Sequence, residues 1–211
     1  ILRCLVGSEM CIRDSFDTEN NDLIRTSIDK PAYKEKLRLR SYGVPEFNDI
    51  VFLEIKKKYN GIVNKRRTLL KLNQAYDFLF DGIMPSEGDY LNAQVLKELK
   101  FFMEFYNPVA KLFLAYDRVA MFGKDDENLR ITADRNIRTR RDDLRLEDGD
   151  YGDKLLQDGQ VLIEIKTASS FPVWLVDILT ELDMKGTSFS KYGTEYRQFM
   201  DNTLQKRGAI C

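Results

Sequence analysis

The sequence predicts an α+β fold in which an antiparallel β-barrel forms a tunnel flanked by helices. Two observations carry that prediction. Five stretches place charged or hydroxyl side chains at every second position: Lys34, Lys36, Arg38 and Arg40; Glu54, Lys56 and Lys58; Tyr116 and Arg118; Arg130, Thr132, Asp134, Asn136, Arg138 and Arg140; and Glu164 and Lys166. Alternate residues of an extended strand share a face, so each stretch has one polar, mostly cationic face backed by an apolar or mixed one. The second observation is turn chemistry, since Asn60-Gly61 between two alternating segments is a strong hairpin signal. Strands of this kind closing with their polar faces inward enclose a tunnel lined by Arg and Lys and a few carboxylates, suited to a polyanion.

The elements follow in order. The opening ILRCLVGSEMCIRDS has an early arginine and an apolar run too broken for a signal peptide. CLVGSEMCIRDS looks like translated adapter read-through, so positions 1–14 are set apart and the domain is taken as 15–204. Phe16 to Lys30 reads as a short strand, then a polar turn or short helix ended by Pro31. Tyr33 to Tyr42 alternates and stops at Gly43 and Pro45. Asp49 to Tyr59 and Ile62 to Lys71 are the two arms of the Asn-Gly hairpin. From Asn73 the apolar spacing becomes helical through Ala75, Phe78 and Leu79, then again through Leu91, Val95, Leu96, Leu99 and Phe102. Two helices are expected there, separated around Pro85, Ser86 and Gly88. Ala110 to Phe122 and Leu129 to Arg141 return to alternation across the charged turn GKDDEN. Gly159 to Thr167 is one more strand, Pro172 to Leu182 a helix, and Lys191 to Leu204 the last helix. The closing QKRGAIC departs from that pattern and is read as a tail, 205–211.

Composition narrows the chemistry. With 211 residues the chain can bury one large core, and no composition shift marks a second domain. Lys plus Arg (33) against Asp plus Glu (34) leaves a net charge of -1, so any anion site must arise from local clustering. The absence of histidine removes imidazole bases, ligands and pH switches. Cys4, Cys11 and Cys211 fit neither a zinc spacing nor a disulfide framework, and a reducing, cytosolic setting is the default. No apolar run approaches the roughly 20 residues that cross a bilayer. G-x-x-x-x-G-K-[ST] and G-x-G-x-x-G are both missing, which argues against P-loop and Rossmann folds.

Each polar stretch has an ordinary reading beside a functional one. KEKLRLRS could be a solvated face or a lysine-guarded edge, yet Arg38 and Arg40 at successive inward positions suit bidentate phosphate contacts. FLEIKKK and VLIEIKTAS both alternate Glu and Lys, either as cross-strand ion pairing or as a carboxylate that holds a metal beside a lysine that holds a phosphate. In YDR, a buried Arg118 needs a counter-charge, from Asp134 or Glu54. LRITADRNIRTR is expected to hold six polar side chains on one face. In SFSKYG, Ser190 is either a helix N-cap or, with Lys191, part of an anion site at the helix start.

Together FDT, KEKLRLRSYG, FLEIKKKYNGIVNKRR, YDRVAMFG, LRITADRNIRTR, LIEIKT and SFSKYGTEY resemble the VTC-type polyphosphate polymerase domain of the CYTH, or triphosphate-tunnel, superfamily. The resemblance spans about Ser15 to Leu204. It implies a β-barrel tunnel, ATP as phosphoryl donor, Mn2+ or Mg2+ as cofactor, and growth of a polyphosphate chain. By motif it implies catalytic roles for Arg38, Arg40, Lys56, Arg118, Arg130 and Lys166, substrate binding by Lys36, Lys65 or Arg66, Tyr116, Ser190 and Lys191, and a metal-holding carboxylate at Glu164. It further implies a cytoplasmic protein, held at the inner face of a membrane where a membrane-protein partner is used. Family members begin with a strand and helix ahead of the FDT segment, so the chain reads as N-terminally truncated. A tunnel hydrolase and a non-catalytic polyphosphate-binding subunit are the alternatives. Nucleic acid is not expected as a partner, because the cationic faces lack interleaved exposed aromatics.

Overall fold

The computed structural model describes residues 2–4, 9–85 and 91–208. Nine strands form one antiparallel sheet: β1 (Leu2–Cys4), β2 (Glu9–Asp17), β3 (Tyr33–Tyr42), β4 (Ile50–Tyr59), β5 (Ile62–Lys71), β6 (Val109–Gly123), β7 (Arg130–Arg140), β8 (Asp153–Lys154) and β9 (Leu162–Lys166). Five α-helices accompany it: α1 (Asp22–Ile28), α2 (Leu72–Asp81), α3 (Ala93–Tyr106), α4 (Val173–Glu181) and α5 (Lys191–Gly208). The expected tail therefore begins inside α5, and its residues 209–211 lie outside the described residues, as do Ser86 and Gly88 of the connection between α2 and α3. The first long strand starts at Glu9 rather than Phe16, so positions 9–14 of the segment set apart as adapter-like pair with β3 and β6.

The hydrogen-bonded order is β5-β4-β3-β2-β6-β7, with β8 and β9 both on the far side of β7 and β1 beside the end of β6. The sheet is not closed. Among the described residues no ladder joins β5 to β8 or β9. Register follows turn chemistry at the β4–β5 hairpin, where Asn60 (φ 45°) and Gly61 (φ 89°) both take the positive φ of a type I′ turn and Tyr59 opposes Ile62.

β7 departs from simple alternation. Ala115 opposes Arg138 and Asp117 opposes Arg135, so Asn136 and Ile137 together face Tyr116, and Asn136 takes φ 48°. This β-bulge reverses the faces beyond it. Arg130, Thr132 and Asp134 share the inner face, Ile137 joins the inner cluster with Leu114 and Tyr116, and Arg140 turns outward over the Phe113 ring. The expectation of six polar side chains on one face holds only for the first three.

The apolar outer faces of β2 to β6, including Leu37, Leu39, Val51, Leu53 and Ile55, bury against Phe78 of α2 and Leu99 and Phe102 of α3. On the inner side α1 and α5 bring Ile24, Tyr192 and Tyr196 against Leu112, Leu114 and Tyr116. α4 packs through Leu175 on Leu129 and Ile131. Asp17 fastens these layers. Its buried carboxylate accepts hydrogen bonds from the backbone N–H of Thr18, Leu23 and Ile24, each at 2.8 Å, and from the Tyr192 hydroxyl at 3.2 Å. Asp17→Ala should lower the unfolding free energy by about 1–3 kcal/mol, because buried donors lose their acceptor. Urea titration checks this, and an unchanged midpoint would show that the carboxylate has no structural role.

Candidate functional site

The inner faces of β2, β3, β4, β5, β6 and β9, with the connection from β9 to α5, surround a cavity of about 800 Å³. Among the described residues, twelve Lys and Arg line it against two carboxylates, Glu54 and Glu164. That excess arises in a chain of net charge -1 because period-two alternation sorts charge by face. On β3, Lys34, Lys36, Arg38 and Arg40 point inward, while Leu37, Leu39 and Ser41 lie buried behind them.

Arg38 lies at the centre of this wall. Among the described residues no hydrogen bond or ion pair engages its guanidinium, and burial together with the nearby charge of Arg13 pushes its pKa down to about 10 against the opposing pull of Glu54, its neighbour across the β3–β4 ladder. Lys36 is in the same position. Burial, then the charges of Arg38, Lys34, Lys56 and Arg13, push it down to about 8. Lys56, directly across the β3–β4 ladder from Lys36, is lowered by burial and by Arg38, Lys166 and Lys65. Lys56 of β4 and Lys166 of β9 both line the cavity, and among the described residues no ladder joins the two strands.

Other cations are matched. Lys65 sits 2.7 Å from Glu54 and Arg40 3.8 Å from it, and Arg40 also donates to the Tyr42 hydroxyl at 2.5 Å. On the opposite wall Arg118 makes a two-pronged contact with Asp134, Nε at 2.6 Å and Nη2 at 2.8 Å, and Lys191 Nζ reaches the same carboxylate at 2.5 Å. Burial would raise the Asp134 pKa, but the Arg118 and Lys191 contacts hold it below the usual carboxylate range. Tyr116 is buried beneath them, its hydroxyl accepting from Arg13 at 2.5 Å.

The structure brings Lys36, Arg38, Arg40, Lys56, Lys65, Tyr116, Arg118, Glu164, Lys166, Ser190 and Lys191 to this one cavity. Two residues named from the sequence are elsewhere. Arg66 follows Lys65 by one residue, so it points to the other face and pairs with Glu98 of α3. Arg130 shares the inner face and stands across the ladder from the cavity-lining Lys166, but its guanidinium packs over the Phe122 ring at 5.3 Å and it is not itself among the lining residues. Ser190 lines the cavity and also caps α5, accepting from the Gly193 N–H at 3.2 Å, so the ordinary reading of that residue is realised. Arg13 was missed, because it falls in the segment set apart from fold reasoning.

The chain matches the VTC domain over residues 15–200. It belongs to the VTC domain family. No curated protein matches it. Among solved structures it is similar to a Bacillus halodurans protein whose crystal structure is described as that of a candidate adenylate cyclase. The identity is 14% and the TM-score 0.54, over 87% of this chain and 79% of that one. At that identity the likeness shows the fold alone, a triphosphate-tunnel architecture, which this VTC domain presents with its sheet unclosed.

The oxygen donors of this VTC domain set what kind of divalent cation it could hold. Glu164 is half-exposed on β9, 3.2 Å from Lys166, and among the described residues no three carboxylates or thiols cluster. Directly across the ladder from Glu164, the buried Thr132 hydroxyl has no hydrogen-bond partner among the described residues. A single carboxylate beside an unsatisfied oxygen fits a hard cation that keeps waters and is bound chiefly by substrate phosphates.

The pKa directions give a prediction of opposite signs. Lys36 and Lys191 both titrate in the fold near 8, below their ordinary value of 10.5. The folded state therefore holds fewer protons than the unfolded state between about pH 8 and 10.5, so the empty protein gains stability as pH rises through that window. Anion affinity falls over the same window as the ammonium charges are lost. Urea unfolding and tripolyphosphate titration at both ends of the window check both trends; an affinity independent of pH contradicts the assignment.

Proposed function

We propose that this VTC domain is a polyphosphate polymerase, transferring the γ-phosphate of ATP to the end of a polyphosphate chain within the cavity. The observation that carries the reading is Arg38, set between Arg13, Lys36 and Arg40 with no protein anion in contact with it among the described residues. Unpaired charges removed from water are costly, so such a wall is stable when a ligand supplies the negative charge. Family membership supports the same class of ligand.

The chemistry needs positioning more than protein covalency. A terminal oxygen of the acceptor chain forms a bond to the γ-phosphorus while the bond from that phosphorus to the β,γ-bridging oxygen breaks, and ADP carries away the electron pair. The acceptor oxygen is already ionised at neutral pH, so a chain without histidine lacks nothing for this step. Lys36, Arg38, Arg40 and Lys56 neutralise and orient the phosphates. Arg118 and Lys191 hold them from the opposite wall. A divalent cation, Mn2+ or Mg2+, would be held by Glu164 and would neutralise charge developing on the transferred phosphoryl group. The proposal includes a cytoplasmic setting with a membrane-protein partner; no helix among the described residues is long and apolar enough to cross a membrane.

Incubation with ATP and Mn2+ or Mg2+, followed by gel separation, should show long phosphate chains. Arg38→Ala should reduce turnover by roughly 100- to 1000-fold, the usual cost of removing one preorganised charge-stabilising group. Glu164→Gln should abolish chain growth, because the carboxylate that would hold the cation is gone. Phosphate as the sole product would replace this reading with a hydrolase. Tight polyphosphate binding without turnover would replace it with a binding subunit.

A further inference from the structure

We propose that Asp134, which the transfer scheme does not use, is a positioning residue that keeps Lys191 charged and aims it, with Arg118, at the polyanion in the cavity. The inference rests on the cavity reading above.

Asp134 lies on the inner face of β7 and is 1% exposed. Its oxygens accept from Arg118 Nε at 2.6 Å, Arg118 Nη2 at 2.8 Å and Lys191 Nζ at 2.5 Å. Arg118 stands directly across the β6–β7 ladder, whereas Lys191 is the first residue of α5. One carboxylate thus joins the helix to the sheet where both cations line the cavity.

The charge balance there is uneven. Arg13 of β2 and Arg118 of β6 each lie 5.0 Å from the centre of the Tyr116 ring, and Lys191 lies 4.5 Å from it. Three cations crowd one phenol, and Asp134 of β7 is the anion that touches two of them. Guanidinium groups keep their protons in such a place, but a desolvated ammonium gives its proton up. Burial and Arg13 already push Lys191 down to about 8, while Asp134 acts in the opposite direction. Without that carboxylate, Lys191 would give up its proton more readily still, and a larger share of it would have to take up a proton on meeting a phosphate. A purely structural pin would fix α5 equally well, yet it would not govern that protonation. Lys36 on β3 also titrates near 8 in the same cavity and must be separated from Lys191.

Calorimetry of the full chain with inorganic tripolyphosphate, near pH 8 in buffers of different ionisation enthalpy, reads affinity and proton uptake together. Asp134→Asn should bind several-fold more weakly, because less of its Lys191 carries the proton that the anion needs. It should take up more protons per anion and recover affinity near pH 6. Lys191→Arg stays charged throughout and should remove the Lys191 share of proton uptake, leaving that of Lys36; this arm holds whether or not Asp134→Asn folds. No binding by the unaltered chain would overturn the cavity reading and this role with it. Binding by the unaltered chain, with equal or tighter binding and unchanged uptake in Asp134→Asn, would overturn the positioning role alone. Unchanged uptake in Lys191→Arg would do the same.

Discussion

Alternation along β3 and β4 ties two opposed demands to the same backbone. Leu37, Leu39, Val51, Leu53 and Ile55 must be buried against α2 and α3, and each full burial is worth about 1.5–3 kcal/mol. Meeting that demand forces Lys36, Arg38, Arg40 and Lys56 onto the inner face, where they repel one another. A slip of one residue would exchange the faces and place charge in the core, so burial of the five apolar side chains holds the register against the repulsion. The apolar outer layer thereby maintains an electrostatically unfavourable wall that the sheet alone would not keep.

Protein carboxylates answer that repulsion at selected points. Glu54 takes Lys65 and Arg40, and Asp134 takes Arg118 and Lys191, which leaves Lys36, Arg38 and Lys56 on the β3–β4 wall without a carboxylate in contact among the described residues. The unmatched charges lie together on that wall, and the matched pair on β6 and α5 stands opposite them. A linear polyanion placed between the two walls would find strong, unshared attraction on one side. On the other it would meet cations already oriented by a partner. Such an arrangement permits both retention and movement of a chain, as the elongation proposed above requires.

Much of this was legible in the sequence, for physical reasons that differ between elements. β3 and β5 match their expected bounds because period two and punctuating residues, Gly43 and Asn60-Gly61, agree with the packing. The same turn could have separated Lys65 from Arg66. Tyr59 opposite Ile62 forces Lys56 opposite Lys65 and Ile55 opposite Arg66, which sends Arg66 outward. The bulge on β7 was hidden, since inserting one residue leaves composition and apparent alternation intact while reversing every later side chain. Arg118 was correctly expected to need a counter-charge, and Asp134 was one of two candidates; that Lys191 from α5 shares it depends on packing no local pattern records. Arg13 escaped because its neighbours look unlike folded sequence, and only the ladder with β3 and β6 places it in the cavity.

The most direct test of the central claim is a crystal structure of this chain with tripolyphosphate bound. The account requires phosphate oxygens within hydrogen-bond distance of Arg38, Lys36 and Lys56, with the anion running between the β3–β4 wall and the Arg118–Lys191 pair. Tripolyphosphate seated on the outer surface, with Arg38 still lacking an anionic partner, would contradict it.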